Sequence, residues 1–178
     1  MLNYRSLTAD DDAVLASIIR TSLEQMRLNL PGTAYSDPEL DHLSAYYARE
    51  PKKRTYFVAL DDAGQVVGGV GVAEFAPIPN CAEIQKLYLS DAVRGKGYGK
   101  ELMRLAETWA KEAGYRQLYL ETHSNLQLRS SSIKSLALRR LSGPRKCCTA
   151  RWITFISSIC DRVRYVGNVS TSIKEGDA

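Results

Sequence analysis

Residues 82–114 read AEIQKLYLSDAVRGKGYGKELMRLAETWAKEAG, and this stretch decides the fold. Ala82, Ile84, Leu87 and Leu89 mark a strand over 81–90 whose alternation breaks around Lys86, as a β-bulge would make it. Then comes Arg94-Gly95-Lys96-Gly97-Tyr98-Gly99-Lys100, followed by a helix with Leu102, Leu105, Ala106 and Trp109 on one face and Gly114 at its end. The glycines let the backbone turn tightly and approach a ligand closely. The helix start aims unpaired N–H groups and partial positive charge at the same place. Strand, glycine loop and helix N-terminus together make an anion site suited to a pyrophosphate, with Arg94, Lys96 and Lys100 adding charge.

Two familiar phosphate loops do not fit. A nucleotide P-loop requires GxxxxGK followed by Ser or Thr, which is missing. A dinucleotide fold requires GxGxxG in the first βαβ unit. Counted from Gly95, the third glycine would fall at Lys100, and three strands already precede the loop.

Working outward, LNYRSL (2–7) reads as an opening strand. A helix starts near Asp10–Asp12 with Val14, Leu15, Ile18, Ile19, Ser22 and Met26 at helical spacing, and Pro31-Gly32 ends the segment. A second helix after Ser36-Asp37-Pro38 carries Leu40, Leu43, Tyr46 and Tyr47. TYFVAL (55–60), the turn DDAGQ and VVGGVGVAEF (66–75) form a hairpin, and YRQLYLET (115–122) follows the glycine-loop helix as a further strand. The expected fold class is α/β (α+β): a mixed central sheet flanked by helices on both faces.

The 178 residues amount to one domain's worth of chain, 44% hydrophobic and 25% charged. No run approaches the roughly 18 apolar residues of a membrane span, and the N-terminus lacks a secretory pattern, so a cytoplasmic protein without membrane association is expected. The net charge of +4 hides a break. Residues 1–127 carry a net of −3 and residues 128–178 a net of +7, with three of the four cysteines in the latter part. Adjacent Cys147-Cys148 and isolated His42 and His123 do not make a zinc pattern, so no metal is expected. Nucleic-acid binding by the basic tail is set aside because the tail breaks the pattern of the fold as a whole.

Arg94-Gly95-Lys96-Gly97-Tyr98-Gly99, entered straight from AEIQKLYLS, resembles the pyrophosphate motif R/Q-x-x-G-x-G/A of the GNAT superfamily of acyl-coenzyme A-dependent N-acetyltransferases. The resemblance spans residues 1–127, about seven-tenths of the chain. It implies a GNAT fold, acetyl-coenzyme A as co-substrate and acetyl transfer to a primary amine of a small molecule or peptide. By the same resemblance, the backbone of Leu87, Tyr88 and Leu89 pairs with the pantetheine arm. Backbone N–H groups from Arg94, Gly95, Lys96, Gly97, Tyr98 and Gly99 cradle the pyrophosphate, and Asn125 lies along the coenzyme. A homodimer paired through a sheet edge fits this picture. The second reading is an acyl-coenzyme A-binding protein without transferase activity.

Direct attack of an amine on the thioester needs a base for the ammonium, a donor for the oxyanion and a proton for the thiolate. Glu83 is the candidate base, its apolar neighbours Ala82 and Ile84 tending to raise its pKa. The Leu87 N–H is the implied oxyanion donor. Glu74 ranks second as a carboxylate for the substrate, and Tyr35 and His42 are candidates for the acceptor pocket's border. The family's tyrosine acid belongs to a segment A-x-x-L-Y-x-x-x-G-F after the asparagine matched by Asn125; here the tyrosine position is Ile133, and Gly-Phe falls on Ala137-Leu138. Codons can be chosen for the tail so that one extra base after Gln127 gives TAIILYKILGFATAERPEKVLHSTMDNFY, which restores both pairs at the family's spacing. The expected division is therefore a GNAT core over 1–127 and, over 128–178, an out-of-frame tail in place of the closing helix and strands. Reduced stability and turnover should follow, with the runs WITFISSI and RVRYVGNV as partial substitutes for the lost strands.

Overall fold

The computed structural model describes residues 1–123 and 162–168. Among these residues, six strands form one sheet in sequential order: β1 (Asn3–Ser6), β2 (Arg54–Leu60), β3 (Val66–Glu74), β4 (Cys81–Leu89), β5 (Gln117–His123) and β6 (Arg162–Asn168). β1 to β4 are antiparallel neighbours, β4 and β5 run parallel, and β6 returns antiparallel to β5. The parallel step is made by α3 (Tyr98–Glu112), while α1 (Asp12–Gln25) and α2 (Leu43–Ala48) lie between β1 and β2 in sequence. This is the mixed, helix-flanked sheet that the change of hydrophobic period implies.

Each face of the sheet has its own apolar layer. Against α3, Leu102, Met103, Ala106 and Ala110 pack on Val70, Val72 and Ile84. On the opposite face, Leu15, Ile19 and Leu23 of α1 pack with Leu43 and Tyr47 of α2 on Tyr56 and Val58. The buried stripe of α1 is rotated from the expected one, because Leu15, Ala16, Ile19, Ser22 and Leu23 are buried while Val14 stays 44% exposed. The sequence admits either stripe, and the position of α2 selects between them.

The start of α1 shows how closely its local chemistry is satisfied. Thr8 and Asp11 form a capping box over a single 3-10 turn, Ala9–Asp11. The buried Asp11 carboxylate takes both nitrogens of Arg5, at 2.7 Å each, along with the Thr8 N–H and hydroxyl at 2.8 Å. Arg5 and these Thr8 donors outweigh burial and push Asp11 down to about 2.

On the far side of β5, part of the run expected to substitute for a lost strand is in place. Residues 162–168, within the run RVRYVGNV, form β6 and pair with β5 over its whole length, from Gln117↔Asn168 to His123↔Arg162. Backbone hydrogen bonding makes few demands on side-chain identity, so a tail of foreign pattern can still extend a sheet. WITFISSI, Asn125, Ile133 and the tail cysteines lie outside the described residues.

Candidate active site

The strand register builds the site. Gly71 lies opposite Gln85 and Gly69 opposite Tyr88, so β4 spends one residue more than β3 between the two pairs. The surplus is the bulge at Lys86–Leu87, with Lys86 at φ 48°. Its consequence is an exchange of faces. Ala82 and Ile84 pack with the α3 layer before the bulge, and Leu87 and Leu89 do so after it. Glu83, Gln85, Lys86 and Tyr88 therefore line the opposite side, toward α1 and the segment that precedes α2.

The glycines of β3 make room for this arrangement. A Cβ on Gly69 would lie 2.4 Å from the Tyr56 ring, and one on Gly71 would lie 2.0 Å from the Tyr47 hydroxyl. Tyr56 thereby donates to the Lys86 carbonyl in the bulge at 3.1 Å, and Tyr47 donates to Gln85 Oε1 at 3.1 Å.

Beside the bulge the sheet opens. β4 and β5 pair from Cys81↔Gln117 to Ile84↔Leu120, and beyond that their ladder ends. A cavity of about 310 Å³ lies there, lined by Glu83, Gln85, Lys86, Tyr88, Glu121 and the loop carboxylates Asp37 and Glu39, among others. Lys86 is 6% exposed, and its Nζ donates to Asp37 at 2.6 Å and Glu39 at 3.1 Å. Burial alone would lower the Lys86 pKa, but the two carboxylates outweigh it and hold the ammonium above its ordinary value. Burial raises the Glu83 pKa, and the hydrogen bond from Gln85 Nε2 at 2.7 Å partly offsets that rise. Tyr119 donates to Glu121 at 2.6 Å.

The glycine loop lies at the head of α3. Asp91–Val93 form a 3-10 turn, Gly95 and Gly97 adopt φ 78° and 91°, and Gly97 caps the helix. Only glycine takes such angles without strain. Gly99 is different: it needs no special angle, and a Cβ there would meet nothing within 4 Å. Among the described residues, the backbone N–H groups of Gly95, Lys96, Gly97, Tyr98 and Gly99 donate to no acceptor, whereas that of Arg94 donates to Asp91.

Arg94 departs from its expected part as loop charge. Its guanidinium reaches back to α1 and to the end of β4, donating to Ser22 Oγ at 2.6 Å, the Leu89 carbonyl at 2.7 Å, Gln25 and Asp91. It braces the loop. The secondary candidates do not line the cavity. Glu74 is ion-paired to Lys53 at 2.9 Å away from the cavity, and Tyr35 donates to Glu24 while Ala34 and Asp37 beside it form the lining. His42 caps α2 and is not in the lining. Sequence reading missed Tyr47, Tyr56, Gln85, Lys86 and Glu121 as site residues. The broken alternation at Lys86 was the available sign for two of them.

Residues 20–131 match the acetyltransferase (GNAT) family. The chain belongs to this family. Coenzyme A-dependent acyl transfer is therefore its reaction class. The chain is 35% identical over 125 residues to the uncharacterized N-acetyltransferase YjgM of Escherichia coli (strain K12), covering 69% of this chain and 73% of that protein. Solved structures share the GNAT fold at lower identity. A GNAT-family acetyltransferase of Staphylococcus aureus Mu50 has a TM-score of 0.67 at 18% identity, with 96% of this chain and all of that one covered. PaiA N-acetyltransferase of Thermoplasma acidophilum, in complex with coenzyme A, has a TM-score of 0.63 at 19% identity, covering 94% and 99%. Among the described residues, no helix is long and apolar enough to cross a membrane.

Proposed function

We propose that this GNAT chain carries an N-acetyltransferase site in which acetyl-coenzyme A and a primary amine meet at the opening between β4 and β5, the amine attacking the thioester directly. One observation carries the reading: among the described residues, the bulged β4 leaves its edge unpaired beyond Ile84, and the same strand leads into a loop with five unspent N–H donors. The free edge at Leu87, Tyr88 and Leu89 suits pairing with the pantetheine amides. The N–H groups of Gly95 to Gly99 suit the pyrophosphate, and Lys96 supplies charge beside them. The open space at Gly99, which neither packing nor backbone angle explains, suits close approach of a phosphate. Asn125 keeps its part alongside the coenzyme in this reading.

Glu83 is the proposed base. Glu83 takes a proton from the arriving ammonium, the freed nitrogen bonds to the thioester carbon, and the carbon–sulfur bond breaks to release the coenzyme thiolate as the nitrogen's second proton passes to water. A carboxylate with a pKa raised by burial is a better base near neutrality than one in water. Leu87, in the bulge, is the proposed oxyanion donor. Among the described residues, the carboxylates of Asp37, Glu39 and Glu83 outnumber the Lys86 ammonium around the cavity, which favours an acceptor that arrives as a cation.

The tail bears on rate. With Ile133 at the family's acid position, the thiolate leaves without that proton donor, and turnover should be slow. The family match ends at residue 131, close to the change in charge, which supports an out-of-frame tail from 128 onward. Thiol release from acetyl-coenzyme A, followed across a panel of amines, tests the reading. Release with a cationic amine is expected. Coenzyme binding without release from any amine would favour a binding protein instead.

A further inference from the structure

We infer that Gln85 and Tyr47 are positioning residues for acyl transfer: the Tyr47 hydroxyl fixes the Gln85 amide so that its NH2 group holds the Glu83 carboxylate at the cavity. The inference rests on the proposed role of Glu83 as the base.

The arrangement begins in the register. Glu83 and Gln85 are two apart on β4 ahead of the bulge, so their side chains share the face toward α2. Gly71, directly across from Gln85, offers no side chain, and Tyr47 fills that space with its hydroxyl. Tyr47 is 5% exposed, so its hydroxyl must find its partner inside the protein. It finds Gln85 Oε1 at 3.1 Å, and Gln85 Nε2 then donates to Glu83 Oε2 at 2.7 Å.

The orientation of the amide is doubly determined. Turned over, Gln85 would set its oxygen against an ionised carboxylate and its NH2 against a hydroxyl that has its own proton to place. Burial keeps the Tyr47 hydroxyl protonated by pushing its pKa well above the ordinary value. Tyr47 therefore keeps a proton to donate, and Gln85 Oε1 is its acceptor in the orientation that stabilises charged Glu83. Other groups act on the same carboxylate from several sides. Glu121 on β5 and Asp37 in the loop oppose its charge, and Lys86 on β4 favours it. Cys81 on β4 and Tyr47 on α2 each feel the Glu83 charge in turn. Of these groups and Gln85, Gln85 is the one hydrogen-bonded to Glu83.

The test uses the full chain with the variants Gln85→Met, Tyr47→Phe, both together, and Glu83→Gln. Carboxyl-carbon NMR titration follows Glu83, its signal identified by loss in Glu83→Gln. The Glu83 midpoint should move to higher pH in Gln85→Met and less far in Tyr47→Phe, and the double variant should match Gln85→Met. Thiol-release kinetics should show the same order. On the acid limb kcat/KM should fall about tenfold in Gln85→Met, the worth of a hydrogen bond to a charged group. On the alkaline plateau it should stay within about twofold, with KM for acetyl-coenzyme A unchanged. An unmoved Glu83 midpoint in folded Gln85→Met overturns the inference even where Glu83→Gln is inactive. If Gln85→Met fails to fold, an unmoved midpoint in Tyr47→Phe does the same. Full turnover in Glu83→Gln overturns the base assignment, and the inference falls with it.

Discussion

Asp11 gives a consequence at the scale of one side chain. Its pKa is lowered from 3.8 to about 2, chiefly by Arg5, and the side chain is 3% exposed. A depressed carboxylate stabilises the fold fully above its unfolded value and loses that contribution as pH falls through the folded one. Acid unfolding should therefore show a component between about pH 4 and pH 2 that is absent in Asp11→Asn, which should also cost about 2 kcal/mol at pH 7. A pH-independent difference between the two proteins would contradict this. Lys86 makes a similar case in a pair. Replacing it with Met leaves Asp37 and Glu39 facing a cavity without their cation, and about 2 kcal/mol of stability should be lost. The loss should shrink on the acid side as Glu39, whose pKa is lowered in the fold, takes up its proton. A chemical-denaturation series across pH checks both the size and the sign. Sequence reading singled out Glu83 as a candidate because a carboxylate between Ala82 and Ile84 is conspicuous. It did not find Tyr47 or Gln85, because their part depends on Gly71 lying opposite, and a cross-strand partner is not encoded in neighbouring residues.

At the scale of elements, β4, the glycine loop and α3 were the most legible part of the chain. The bulge appeared as broken alternation in IQKLYL, and the loop as glycines between two periodicities. The charge of Arg94 was misread because its partners, Ser22 and Gln25, belong to a helix some seventy residues earlier. Those contacts make a prediction about the loop as a brace. Arg94→Met should leave the Ser22 hydroxyl and the Leu89 carbonyl without this partner, lowering both melting temperature and coenzyme affinity. Gly99→Leu should separate the two effects. Its backbone angle and surroundings accept a side chain, so the melting temperature should stay within a few degrees, while coenzyme affinity should fall more than about tenfold. Equal losses in both quantities for Gly99→Leu would mean that the residue serves the fold rather than the ligand. The buried stripe of α1 was misplaced by about one position, since the helix alone offers two comparable apolar faces.

For the whole molecule, the chain after Gln127 follows a site whose proposed coenzyme half precedes it. β6 shows that residues 162–168 can extend the sheet, so loss of the family's closing motif need not leave β5 bare. A chain restored to the alternative frame after Gln127 should melt at a higher temperature and release thiol faster than the present one. Equal melting and equal rate would remove the idea of an out-of-frame tail. Either way, coenzyme binding should survive, because its proposed donors lie between residues 95 and 99. Titration calorimetry of the full folded chain with coenzyme A, alongside Gly99→Leu, is the most direct measurement. One-to-one uptake by the unaltered chain, strongly weakened by Gly99→Leu, is the predicted result. Absence of any uptake by folded protein would contradict the account.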